Sequence, residues 1–520
     1  VRKSFASGAI ILMAAGLAAR LLGFAYRIYL SNLVGAEGMG LYELVVPVYT
    51  AVVLTITSGI TIAVSRMVAE QNARLDRINP GRVTVCALWL AAAAGMPVSA
   101  VISFNAEILS LKVLGDERTY SALLVLVPCL PAVVAAAALK GYFYGMQNVV
   151  PTAFSQTAEQ AAKFLILLIA ADAILEKGPG FASAIAVFAA AAGEIFNMLI
   201  LLAVFSMRKK GRLHNGHASK VIRRARIIRE LMKAAVPVSA NRLVISALSA
   251  AEYILIPAML SYGGLDEKSS MEVFGRLTGM ALPLIMFPSV VTNSIATTLV
   301  PALSESAALK RYKALNYQIS RSIQITFILG IIFSSLFICF SHEIGSLLYR
   351  REKIGDLLYM LSFSGVFIYL QQTLTGVLNG LGRQGILLRN TVVGSVLRIA
   401  VICLLMPVSG IKIYIVGMTA SLILTESLNL ITINRITGLV FDLRGWIVKP
   451  GLAGIAIIFV GRYVYYFIEI FRLSPLLTIL LSLSVNVVIA GILLIFMGVL
   501  KAEEILSMVG LRNTVKIFEK

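Results

Sequence analysis

Residues 7–30 read SGAIILMAAGLAARLLGFAYRIYL, an apolar run that nevertheless contains Arg20 and Arg27. At ~1.5 Å of rise per residue, roughly 20 apolar residues cross the ~30 Å hydrocarbon layer, so the stretch reads as a transmembrane helix and not as a core helix of a soluble domain. An arginine near mid-bilayer costs roughly 2.5–3.5 kcal/mol on insertion scales, and such residues normally face a bundle interior or a wet cavity. Seven positions apart, the two side chains differ by about 20° around the helix and form one cationic face. Snorkelling to the interface is the competing reading, above all for Arg27, which lies within a turn of the end of the run.

The whole chain shares this character. With 520 residues, 58% apolar and only 14% charged, and a mean hydropathy of +0.88, it reads as a polytopic membrane protein. A net charge of +20 would suggest nucleic acid in a soluble protein, but here the positive-inside bias of short loops comes first. The basic start with Arg2 and Lys3 mimics a signal peptide. The run continues past any cleavage site and more spans follow, so it is kept as the first helix. Cys86, Cys129, Cys339 and Cys403 sit in or beside apolar runs without metal-ligand spacing and are assigned to packing. His214 and His217 lie in a basic polar loop and read as a solvated pair, not a metal site.

Hydrophobic windows give fourteen candidate spans, at about 7–30, 41–65, 83–104, 120–140, 152–171, 181–206, 233–260, 275–300, 322–341, 357–380, 387–407, 412–433, 447–468 and 475–499. Loop charge tests the count, because one missed span inverts every later loop. With both termini cytoplasmic, about thirty of the 46 Lys and Arg fall inside. Arg350, Arg351 and Lys353 break the pattern, partly offset by Glu343, Glu352 and Asp356. The expected fold is an all-α membrane protein with a six-helix lobe over 1–206, a basic linker over 207–231, a second six-helix lobe over 232–434, and two extra helices with a tail over 435–520. In the linker, Val221, Ile222, Ala225, Ile228 and Met232 recur at helical spacing opposite arginines, as in a helix lying on anionic lipid. No folded nucleic-acid module accompanies the charge, so no nucleic-acid partner is expected.

The halves are related. Gly141, Gly145 and Lys163 recur 235 positions on as Gly376, Gly380 and Arg398, within GYFYGMQNVVPTAFSQTAEQAAKFL and GVLNGLGRQGILLRNTVVGSVLRIA. Each unit has an even number of spans, so the copies enter the membrane in the same direction. They are expected to pack about an axis along the membrane normal, with a binding site between them near mid-bilayer.

Nothing in the sequence has the spacing of a nucleotide loop, a zincin or a nucleophile with its base, so no enzyme and no cofactor is expected. Transport would then draw on a coupling cation, Na+ or H+, or on membrane potential. Charges within spans carry the functional signal: besides Arg20 and Arg27 they include Glu43, Glu159, Lys163, Glu194, Arg242, Glu252, Arg276, Arg398, Glu426 and Arg462. Glu159 and Lys163, four apart, read as an intrahelical pair. Arg398 has Gly394 where Glu159 stands in the first half, so it lacks that partner. For Glu43 and Arg276, near the ends of their spans, interface snorkelling competes with a site role. More cations than anions in the first, seventh and eighth spans suggest an anionic substrate, and arginine suits phosphate through its bidentate fork.

The segments ARLLGFAYRIYLSNLVGAEGMGLYELVVPVYT, IAVSRMVAE, FGRLTGMALP and TTLVPALSES, with fourteen spans and a duplicated core, resemble the multidrug, oligosaccharidyl-lipid and polysaccharide exporter superfamily. Within it the chain looks most like the stage V sporulation protein B and polysaccharide-exporter group, with the lipid II flippase as a neighbour. The resemblance covers essentially the whole chain and implies two six-helix lobes in a V, with the last two helices forming a groove for a polyprenyl tail. In the flippase branch, arginines of the first and eighth helices line the cavity. Arg20 in RLLGF and Arg276 in GRL match such positions, while Arg27 is displaced by one residue from its counterpart, where Tyr26 stands, and Ala51 lies near the place of a second-helix arginine. Of the sodium site in some relatives, Asn390 is present but Gly394 replaces the carboxylate, and Glu252 or Glu426 are the substitutes.

The expected function is a flippase of the bacterial cytoplasmic membrane for a polyprenyl-pyrophosphate-linked glycan of cell-wall or polysaccharide assembly. Candidate substrate residues are Arg20, Arg27, Arg276, Arg242, Arg398 and Glu43; candidate ion-coupling residues are Glu252, Asn390 and Glu426. The expected partners are the lipid-linked glycan, membrane lipids and wall-synthesis enzymes. The rivals are a cation-coupled multidrug antiporter of the same superfamily and a nontransporting scaffold for wall synthesis.

Overall fold

The computed structural model describes residues 2–73, 79–213 and 223–499, and among them every regular element is helical. Lipid offers no partner for a backbone N–H or C=O, so a hydrophobic chain of this kind closes its hydrogen bonds within helices. In chain order the helices are α1 (Arg2–Ala73), α2 (Asn79–Phe104), α3 (Thr119–Leu126), α4 (Cys129–Gly145), α5 (Val150–Lys177), α6 (Pro179–Leu213), α7 (Arg224–Tyr262) and α8 (Glu267–Phe274). A π-helical stretch, Gly275–Ala281, leads into α9 (Leu282–Met286) and α10 (Ser289–Ala308). They are followed by α11 (Tyr312–Leu348), α12 (Gly355–Gly380), α13 (Gln384–Leu404), α14 (Ile411–Thr437), α15 (Lys449–Glu469) and α16 (Pro475–Phe496).

Ten of the helices are long and apolar enough to cross a membrane, and up to twelve spans result if each bent pair, α3 with α4 and α8–α9 with α10, counts as one. The difference from the fourteen windows has a physical origin. Ala18–Asn72 is counted as one 55-residue helix, yet it breaks at Gly35, whose φ of 70° lies in the left-handed region that glycine alone enters freely. The α5 helix carries Glu159, Lys163 and Asp172 along its apolar stretch and is not counted among the spans.

Two compact units result: residues 1–280 with 402–408, and residues 281–401 with 409–520. In the first, Val64, Ala87, Val134, Leu139, Phe143, Leu201, Ile227 and Leu231 bury one apolar cluster among α1, α2, α4, α6 and α7. In the second, Leu303, Ile319, Ile323, Leu374, Val377, Ile433 and Trp446 form another. Between membrane helices the hydrophobic effect is weak, and small residues that let backbones approach become the main source of specificity. The recurrent glycine pair serves this purpose in both units. A Cβ on Gly141 would stand 2.8 Å from the carbonyl of Thr61, and one on Gly145 2.5 Å from that of Ser65. Gly376 and Gly380 press in the same way on Ala296 (2.7 Å to its Cα) and Leu303 (3.0 Å to its Cβ). Ala296 lies 235 positions beyond Thr61, the same offset that separates the glycines.

Overpacking such a contact costs about 1–3 kcal/mol. We therefore expect Gly145→Val and Gly380→Val each to lower the thermal unfolding midpoint in detergent. Gly385, around which an added Cβ meets nothing within 4 Å, serves as the control: Gly385→Ala should leave the midpoint in place.

Candidate functional site

The bend at Gly35 folds the second part of α1 back beside the first, and so brings together residues that a straight helix would hold apart. Arg27, before the bend, reaches Glu43, after it, in an ion pair. The same guanidinium donates through Nε to the carbonyl of Gly279 at 3.0 Å and through Nη2 to that of Thr278 at 2.9 Å. Both acceptors lie in the π-helical stretch Gly275–Ala281. A π-turn displaces carbonyls from their usual i→i+4 partners, which leaves acceptors for a side chain from outside. Close approach at this point is possible because a Cβ on Gly275 would lie 1.9 Å from the carbonyl of Ala36. Glu43 is 5% exposed, and the Arg27 side chain 30%. Tyr26 turns away from the cluster and donates to the carbonyl of Ala186 at 3.3 Å.

Arg276 belongs to the same π-turn and pairs with Glu272 at 3.3 Å, both side chains about one third exposed (33% and 31%). Arg20 is exposed two turns before Arg27 on the same helix. The structure thus gathers Arg27, Glu43 and the turn that carries Arg276 in the first unit. Arg242, exposed, and Glu252, buried, lie on α7. In the second unit Arg398 of α13 donates to Ser395 at 3.2 Å. Asn390 bonds Asn429 at 2.8 Å, which in turn donates to Glu426 at 3.0 Å.

Several partners were not singled out in the sequence. The two π-turn carbonyls have no residue-type signature at all. Asn429 stands three positions after Glu426, a spacing that places both on one helix face. Asn197 joins the Glu159–Lys163 pair (2.5 Å) by donating to the second oxygen of Glu159 at 2.8 Å. Outside the spans, Arg118 binds Asp116 at 2.7 Å and Glu37 at 2.5 Å, which ties the bend of α1 to the segment before α3 and holds the guanidinium's proton more firmly than usual.

The model of the polysaccharide biosynthesis protein family matches residues 5–307, more than half of the chain. The chain belongs to that family. A MatE family model matches residues 277–404. Stage V sporulation protein B of Bacillus subtilis is 26% identical over 437 residues, 84% of this chain and 84% of that protein. Lipid II flippase MurJ of the same organism is 26% identical over 419 residues, 75% of each chain. Among solved structures, a lipid II flippase MurJ in an inward closed conformation superposes with a TM-score of 0.70 at 12% identity, covering 94% of this chain and 99% of that one; at that identity the likeness speaks for the fold. The chain is a multi-pass membrane transporter of the multidrug, oligosaccharidyl-lipid and polysaccharide exporter superfamily, a family of transporters and not of enzymes.

Removing one partner of a buried pair leaves the other charge uncompensated, at a cost of roughly 3–5 kcal/mol. Arg27→Ala should therefore destabilise the detergent-solubilised protein strongly. The double replacement Arg27→Met with Glu43→Leu should recover a large part of the loss, as read in a double-mutant cycle of thermal midpoints. Additive losses would mean that the pair does not hold α1 to the π-turn.

Proposed function

We propose that this chain is a flippase that moves a polyprenyl-pyrophosphate-linked glycan, a peptidoglycan precursor or polysaccharide unit, across the bacterial cytoplasmic membrane by alternating access. The observation that carries the reading is the surplus of arginine along the first part of α1 and the π-turn packed on it: Arg27 and Arg276 against Glu43 and Glu272, with exposed Arg20 two turns before Arg27 on the same helix. Arg27 is consumed by Glu43 and two carbonyls, so it acts as a strut. Arg276, on a longer pair about one third exposed, and exposed Arg20 can exchange their contacts for an incoming anion. A pyrophosphate offers several oxygens to two forks of parallel N–H donors. Similarity to a lipid II flippase supports a lipid-linked substrate.

In this reading the chain has fourteen spans, obtained by dividing α1 at Gly35, counting α5, and taking each bent pair as one. Both termini are cytoplasmic, the lobes are 1–206 and 232–434, and the last two helices receive the polyprenyl tail; of the 207–231 linker, residues 214–222 with His214, His217, Val221 and Ile222 lie outside the described residues, and the basic start of α7, Arg224 to Glu230, meets anionic lipid. Arg242 and Arg398 are secondary contacts. Glu252, Asn390 and Glu426 serve coupling to a cation gradient, and wall-synthesis enzymes are the expected neighbours. The match of a MatE model to residues 277–404 favours one second reading, a cation-coupled multidrug antiporter.

Vesicles reconstituted with a defined lipid-linked sugar separate the two. Arg20→Ala and Arg276→Ala should each reduce translocation by at least tenfold at normal protein levels. Full translocation by both variants would falsify the flippase reading. Export of lipophilic cations that depends on acidic residues and ignores both arginines would establish the antiporter.

A further inference from the structure

Two neighbouring helices of the second unit carry a polar face at positions where lipid contact calls for apolar side chains. The exposed side of α10 bears Ser294, Thr297 and Thr298, with Pro301 and Glu305 beside them. At 100° per residue these five positions fall within about 100° of arc. The outward side of α16 is by contrast aliphatic, with Leu476, Leu480, Val485, Val488 and Ile492 exposed. Packed on α10 through Gly376 and Gly380, α12 carries Gln371, Gln372, Thr375 and Asn379, all half-buried and again on one arc. Among the described residues, none of these three amides, nor half-buried Asn293 of α10, has a hydrogen-bond partner.

An amide in a span that no protein group satisfies must be met by water or by a ligand, so this face borders an aqueous space. The hydroxyl protons of α10 are already engaged. Ser294 Oγ donates to the carbonyl of Val290 at 2.9 Å, Thr297 Oγ1 to that of Ser294 at 2.9 Å, and Thr298 Oγ1 to that of Ile295 at 3.0 Å. What these hydroxyls offer outward is therefore their lone pairs. Pro301 has no N–H for the carbonyl of Thr297, which adds a backbone acceptor to the same stretch of helix. The amides of α12 supply donors and acceptors side by side.

The duplication shows that helix packing does not require these groups. Counting back 235 positions, Ala136 and Ala137 stand in the places of Gln371 and Gln372, and Gly59, Ile62 and Ala63 in those of Ser294, Thr297 and Thr298. The glycine contacts are nevertheless kept at the same offset. The chemistry of the face selects its ligand. A phosphate calls for cations and a lipophilic cation for central carboxylates, whereas these residues are neutral apart from Glu305 at one edge. Closely spaced hydroxyl acceptors flanked by amides suit a neutral, hydroxyl-rich molecule, because each sugar hydroxyl both donates and accepts.

We infer that the α10 and α12 face is a carbohydrate subsite: Ser294, Thr297 and Thr298 accept hydrogen bonds from sugar hydroxyls, and Gln371, Gln372 and Asn379 bridge neighbouring ones. That the sugar arrives on a lipid pyrophosphate rests on the flippase reading; that the face binds sugar does not. The test places single cysteines in the full chain in lipid nanodiscs, with exposed Cys403 replaced by serine. Thr298→Cys and Gln372→Cys should react with a charged methanethiosulfonate at least tenfold faster than Val488→Cys on α16. A soluble N-acetylglucosamine disaccharide, and the same disaccharide on polyprenyl pyrophosphate, should each slow that reaction at least fivefold, and bare polyprenyl pyrophosphate should not. Rates as low as at Val488, no slowing by either sugar-bearing probe, or equal slowing by the bare lipid would overturn the proposal. If a cysteine variant does not fold, the Ser294→Ala, Thr297→Val, Thr298→Val triple variant decides: it should bind the soluble disaccharide at least tenfold more weakly than the wild type, and unchanged binding would equally overturn it. Sugar-dependent slowing without translocation in vesicles would sink the flippase reading and leave the subsite standing.

Discussion

The first unit depends on one compensation: a partly buried guanidinium within an apolar helix must be given enough acceptors to remain there. Arg27 receives three, from the Glu43 carboxylate and the carbonyls of Thr278 and Gly279. To supply them the chain needs a bend at Gly35, so that Glu43 returns beside Arg27, and a π-turn at Gly275–Ala281, so that carbonyls are released. It also needs near-contact of backbones at Gly275 and Ala36. These features are separate in the sequence and have a common cause in the structure. The cost of leaving any of them out is the cost of an uncompensated charge in a low-dielectric medium.

The two halves solve the polar problem differently with the same scaffold. Their glycine pairs seat α4 on α1 and α12 on α10 at equivalent positions. Between α5 and α6, however, Glu159 meets its own lysine and Asn197, whereas between α13 and α14 a line of two amides ends on a solitary carboxyl group. Backbone packing is thus repeated while charge is not.

Much of this was legible in the sequence because hydrophobic length and charge placement are one-dimensional signals. Ten to twelve of the apolar spans, the offset of 235 between Gly141 and Gly376, and the i,i+4 spacing of Glu159 and Lys163 survive as geometry. What could not be read depends on chain reversal and backbone irregularity. Arg27 and Glu43 are 16 positions apart, a separation with no helical meaning until Gly35 bends the chain. The acceptors at Thr278 and Gly279 are backbone atoms of a π-turn, invisible to any pattern of side-chain types. Apolar windows place two spans in α1, whereas residues 18–72 form one continuous helical run whose composition does not change at the bend.

On the proposed flippase reading, the positive charge left over after Arg27 is satisfied receives a pyrophosphate. Phosphorus NMR of a polyprenyl pyrophosphate added to the protein in nanodiscs tests it directly. The diphosphate resonances should shift and broaden with the wild-type chain and return to their free positions with the Arg20→Ala, Arg276→Ala double variant. Equal shifts with both proteins would contradict it.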